Sequence, residues 1–128
     1  MSVGRRSRVA ILCAVGLVTL ACLNVNVQAT PPDDAEPKHT IKEVMQAMKK
    51  GLLKKVVSGE ATAEEKTQLL DYYISLVENT PKKGDANSWH KLAGDAAKAA
   101  AKVVVGREGA TDELKAATNC KACHDVHK

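Results

Sequence analysis

The chain has no phenylalanine, and its aromatic residues are Trp89, Tyr72 and Tyr73 alone. An interior of ordinary aromatic bulk is therefore excluded, and alanine, leucine and valine must fill the core. Alternating apolar and polar residues are missing throughout, so no strand is expected. There is no internal repeat and no low-complexity tract, which leaves a single all-α domain as the fold class. Cysteine is scarce as well: of the four present, Cys13 and Cys22 lie in a stretch that does not read as fold.

That stretch is the first 29 residues. Arg5, Arg6 and Arg8 form a basic start, Val9 to Leu23 an apolar run, and Val27-Gln28-Ala29 a small-x-small cleavage site, the signature of a secretory signal peptide cut after Ala29. The apolar run is short for a membrane span. Thr19-Leu20-Ala21-Cys22 loosely resembles a lipobox, so a lipid anchor at Cys22 is a minor alternative to free export to the periplasm. Three of the 19 bases and none of the 15 acids fall within 1–29, which leaves 16 bases against 15 acids, a net +1. A nearly neutral chain without a basic stripe argues against nucleic-acid binding. With the leader gone only Cys120 and Cys123 remain, too close together in sequence to staple a fold.

Residues 30–38, with Pro31, Pro32 and Pro37, read as an extended tether, and 39–128 as the folded domain. Thr40-Ile41-Lys42-Glu43 is a capping box that opens a helix. Apolar residues follow at Ile41, Val44, Met45, Met48, Leu52, Leu53, Val56 and Val57, and Ser58-Gly59 ends the run. A second capping box, Thr62-Ala63-Glu64-Glu65, opens a helix whose inner face is Leu69, Leu70, Tyr73, Leu76 and Val77, and Asn79-Thr80-Pro81 closes it. The third helix is expected from Asn87 or Ser88 to Val105, with a stripe of Trp89, Leu92, Ala93, Ala96, Ala100, Val103 and Val104. Its alanines allow a neighbouring helix or a flat ring to come close. Gly106 to Gly109 links it to a fourth helix capped by Thr111, in which Leu114, Ala117, Cys120 and His124 recur at spacings of three and four and so share the inward face. Four helices joined by short links predict an up-down-up-down antiparallel bundle with a cofactor site between facing helices.

The chemistry sits in Cys120-Lys121-Ala122-Cys123-His124. Two thiols three residues apart with an adjoining imidazole form the C-x-x-C-H pattern of covalent haem c attachment, in which two thioethers hold the ring and the histidine ligates its iron. Two other readings compete. A structural zinc ion usually takes four protein ligands, and no second cysteine pair exists. A thioredoxin-like redox pair belongs in a βαβ context, which is missing here. Only Asp125 to Lys128 follow the motif, so any second axial ligand is expected upstream. His39, His90 and His127 read as surface residues, and Lys42 or Lys49 as weak candidates to pair with a haem propionate.

A helical domain with C-x-x-C-H in its last helix resembles the class II cytochromes c, the family of cytochrome c′ and cytochrome c556. The resemblance covers Ile41 to Lys128 and rests on Cys-Lys-Ala-Cys-His-Asp at 120 to 125; His127 departs from it, standing where many members carry tyrosine. It implies a proximal His124 and a distal position on the first helix, where Met45, or less readily Met48, is expected to complete a low-spin electron carrier. An uncoordinated distal face would instead imply a five-coordinate binder of diatomic gases such as NO and CO, and a haem-bound signalling module is a third class. A carrier makes and breaks no substrate bond, so an enzyme is not expected. The expected partners are redox proteins, steered by Lys115, Lys121 and Lys128; a homodimer is open.

Overall fold

A computed structural model describes residues 36–128. The leader over 1–29, the lipobox cysteine Cys22 and most of the 30–38 tether lie outside the described residues. Among the described residues six helices follow one another: α1 (Ile41–Lys49), α2 (Leu52–Val57), α3 (Ala63–Glu78), α4 (Ala86–Val104), α5 (Ala110–Ala117) and α6 (Cys120–His127). They pack as four arms of a helical bundle, because α1 with α2 and α5 with α6 are the halves of two interrupted arms. The α3–α4 interface is the most extensive, α4 also packs on α5, and α1 and α2 lie on α3 while α2 reaches α5. Among the described residues no helix is long and apolar enough to cross a membrane.

Both capping boxes form. Thr40 Oγ1 accepts from Glu43 N–H at 3.3 Å while Glu43 Oε2 accepts from Thr40 N–H at 2.8 Å, and Thr62 with Glu65 repeats the pair at 3.2 and 2.9 Å. Hydrogen bonds hold both carboxyls below the usual range: the Thr40 backbone N–H leads for Glu43, and for Glu65 the Lys55 ammonium leads, followed by the Thr62 N–H.

The first helix, expected to run unbroken to Val57, is interrupted at Lys50 and Gly51. Gly51 takes φ +92°, donates to Met48 C=O at 3.0 Å, and its own carbonyl starts the next turn by accepting from Lys55 N–H at 2.9 Å. A Cβ there would meet nothing within 4 Å, so it is the left-handed backbone, not crowding, that glycine serves. The apolar face survives the break. Val44 and Val56 are buried and Ile41, Met45, Met48, Leu52, Leu53 and Val57 pack around them.

The third arm starts earlier than expected. Asp85, not Asn87 or Ser88, is its cap, accepting from Ser88 N–H at 2.8 Å, and the helix ends at Val104. Three consecutive valines cannot all face inward when each residue turns the helix by about 100°. Val103 packs on the core, whereas Val104 and Val105 are exposed. Trp89, Ala93, Ala96, Ala99 and Ala100 are buried in one core cluster with Leu69, Tyr73 and Leu76 of α3. Trp89 Nε1 donates to Leu76 C=O at 2.8 Å, satisfying one of the carbonyls left over where α3 ends. Asn79 caps the same end, its backbone N–H donating to Ser75 C=O at 3.1 Å and its side-chain amide donating to the same carbonyl at 2.6 Å.

The fourth arm departs most from expectation. Gly109, at φ +71°, precedes the first helical residue Ala110, so Thr111 lies inside the first turn instead of capping it. The helix then stops at Ala117. Thr118 leaves the helical region and turns its hydroxyl back to Leu114 C=O at 2.7 Å, while Asn119 Oδ1 accepts from Ala122 N–H at 3.1 Å and opens α6 anew. A run of three- and four-residue spacings does not carry one face across such a break. Ala117 and Cys120 therefore do not continue a common buried stripe: Cys120 and His124 are exposed and only Cys123 is half-buried.

Candidate functional site

All four arms contribute to one apolar cavity of about 290 Å³. That volume sits near the lower end of the roughly 300–1,000 Å³ typical of cofactor and ligand pockets, and is far beyond the packing voids of an ordinary interior. Met45, Met48 and Leu53 of α1 and α2 form one wall, Leu76 and Tyr73 of α3 a second, and Trp89, Leu92, Ala93 and Ala96 of α4 a third. The alanines leave this third wall shallow. Cys120, Cys123 and His124 of α6 line the remaining side, with Lys49 and Asn119 also on the lining.

The residues singled out in the sequence thus meet around one space. Both thiols and the imidazole lie on one element, and both thioethers lie on another. The donor set of two thiols, an imidazole nitrogen and thioether sulfur suits a covalently held haem, and the apolar walls suit the faces of its ring. His124 makes no side-chain hydrogen bond among the described residues, so neither ring nitrogen is committed elsewhere. The residues present fit the group. Zinc lacks a comparable set, since no group of three or more His, Cys, Asp or Glu side chains able to hold a metal ion occurs among the described residues.

Burial pushes the Cys123 thiol above its ordinary range, and the neighbouring Cys120 adds to this. Cys120 is exposed, with its sulfur 3.5 Å from Thr118 C=O.

Other candidates are sorted by position. His39 and His90 do not line the cavity. His90 is exposed, but His39 is not a free surface residue: its ring packs at a tilt of 53° against Tyr72, 4.6 Å between centroids, and its Nε2 lies 3.2 Å from Asp71 Oδ2. Of the two propionate candidates only Lys49 reaches the cavity, while Lys42 does not. Lys121 is tied to Asp125 at 2.6 Å, which leaves it less available to a partner than Lys115 or Lys128.

His127, expected at the surface, is a packing residue. Its ring meets Trp89 edge-on at 5.4 Å, Nδ1 lies 3.0 Å from Lys83 C=O, and Nε2 lies 3.2 Å from Ser88 Oγ. A carbonyl can only accept, so in the neutral ring Nδ1 carries the proton and Nε2 accepts from the hydroxyl. Tyr73 is the other residue whose role the sequence did not reveal. It read as one member of a helical stripe, yet its phenol lines the cavity beside Met48. The chain matches no protein-family model, no curated protein and no solved structure.

Proposed function

We propose that this chain is an exported monohaem c-type cytochrome that carries single electrons between proteins, in the manner of the class II cytochromes its motif resembles. The observation that carries the reading is the convergence of Cys120, Cys123 and His124 from one side, and Met45 from the other, on a single apolar cavity. Haem c, when bound, supplies the one-electron iron couple. Cys120 and Cys123 hold the ring by two thioether bonds and so prevent its loss. His124 and Met45 would hold the iron, and a thioether ligand raises its reduction potential. Leu53, Leu76 and Trp89 keep water from the ring faces. Cys120 and His124 lie on the cavity lining at its outer side, where an acidic redox protein could approach, with Lys115 and Lys128 available to steer it.

A second reading is favoured by Met45 itself, which is half-buried and packs against the core cluster. If that packing holds the thioether off the iron, the distal face binds a diatomic gas instead. The absorption spectrum of the reduced, exported protein with and without carbon monoxide separates the two. A low-spin spectrum that CO leaves unchanged is expected for the carrier. A high-spin spectrum with immediate CO binding sinks it in favour of the gas binder, and a protein without covalent haem sinks both.

A further inference from the structure

Met45 and Met48 are three residues apart on α1, so they share a helical face, and both line the cavity. Spacing alone gives either sulfur access to an iron held there. Tyr73, across the cavity on α3, breaks this equivalence. It is only 4 % exposed, and its O–H finds one partner among the described residues, Met48 Sδ at 3.6 Å. A buried phenol needs an acceptor, and a thioether is a weak one, so the pair is held by the lack of anything better. Burial, with a smaller contribution from the Cys120 thiol, pushes the phenol well above its ordinary range.

We propose that Tyr73 is a positioning residue that reserves the axial site for Met45 by holding the Met48 thioether against α3. The inference rests on the haem reading above. For Met48 to swing to the iron, its sulfur must leave the phenol and strand a buried donor inside an apolar cavity. The penalty for a stranded buried donor corresponds to about a tenfold or greater bias against exchange. Met45 makes no such hydrogen bond among the described residues, so its sulfur leaves no donor stranded when it turns to the iron.

The test uses the haem-loaded, exported chain and reads the methionine-to-iron charge-transfer band of the ferric protein, with NMR of the ligand methyl group to count ligation states. Met45→Ala is expected to lose the band. Met45→Ala combined with Tyr73→Phe is expected to recover a large part of it, because Met48 is released, and adding Met48→Leu should abolish it again. A purely structural role for Tyr73 cannot restore a ligand, so a double variant no different from Met45→Ala overturns the proposal. Met48→Leu alone keeps Tyr73 in place and guards against a Tyr73 variant that fails to fold: the band should persist unshifted, and its loss overturns the proposal from the other side. Absence of the alkaline pyridine haemochrome spectrum in the wild-type protein would remove the haem reading and this inference together. Failure of the ligand exchange in a haem-loaded protein removes only this inference.

Discussion

None of the residues of α6 is buried, although this helix carries both thiols and His124. Eight residues do not hold a helix in water unaided, so α6 depends on what ties it down. The principal tie is His127. Its edge-on contact with Trp89 contributes about 0.5–1.5 kcal/mol, and its hydrogen bonds to Lys83 C=O and Ser88 Oγ about 0.5–1.5 kcal/mol each. Replacing His127 with alanine should therefore lower the free energy of opening α6 by about 2–4 kcal/mol. Gly84→Ala attacks the same joint from the opposite side. Gly84 sits at φ +85°, and a Cβ there would lie 2.3 Å from His127 Nδ1, 2.7 Å from Cε1 and 2.9 Å from Val126 C=O. The ring can rotate away, but the Val126 carbonyl is backbone, so the end of α6 must move with it. Amide hydrogen exchange reads the result. Protection from Cys123 to His127 should fall by roughly 30-fold to several hundred-fold in either variant, while amides from Leu69 to Leu76 in α3 hold their protection. Covalent haem yield should fall in parallel. Equal exchange of the α6 amides in wild type and His127→Ala would refute the latch, and an equal loss in α3 would show that the substitution weakens the whole domain instead.

Two further outcomes follow from the walls and the first turn. Ala96→Leu projects three more carbons toward the cavity, so the haem-free protein should gain up to about 2 kcal/mol in urea unfolding while haem attachment falls; an undiminished haem yield would show that no ring lies against α4. Asp71 is held below the usual carboxylate range, chiefly by the Lys38 ammonium at 2.6 Å and then by His39. Because the folded state depresses this pKa, its contribution, at most about 1 kcal/mol for a pair this exposed, is fully present above the unfolded value near ~4 and lost as pH falls through the folded value. Wild type should thus exceed Asp71→Asn in urea midpoint at pH 7 and approach it by pH 3, and a gap that stays constant over that range would contradict the assignment.

What the sequence disclosed was what is decided locally. The boxes at Thr40 and Thr62 are closed by residues three apart, and the apolar faces of the arms are set by a period of 3.6, so both could be read before any contact was known. The breaks were harder. Gly51 lies between Met48 and Leu52, which are four apart, so the apolar rhythm passes over it without a missed beat. Asn119 hides in the same way, because Ala117, Cys120 and His124 keep helical spacing across the point where the helix restarts. His127 and Gly84 are 43 residues apart, and no local pattern encodes their approach. Tyr73 was seen, but as packing, because periodicity reports which side of a helix a residue faces and not where its hydroxyl ends.

The break at Asn119 bears most on function. Had α5 continued through the motif, a turn of about 100° per residue would have fixed His124 about 80° and Cys120 about 120° around the helix from the fully buried Leu114. Restarting at Asn119 frees α6 from that register and leaves those two side chains at the rim of the cavity, with Cys123 half-buried between them. A cofactor held from the rim has its faces against apolar walls and one edge toward solvent. Enclosure of the faces favours retention and a raised potential; exposure of the edge shortens the path to a partner's redox centre. For the electron carrier proposed above, both requirements matter.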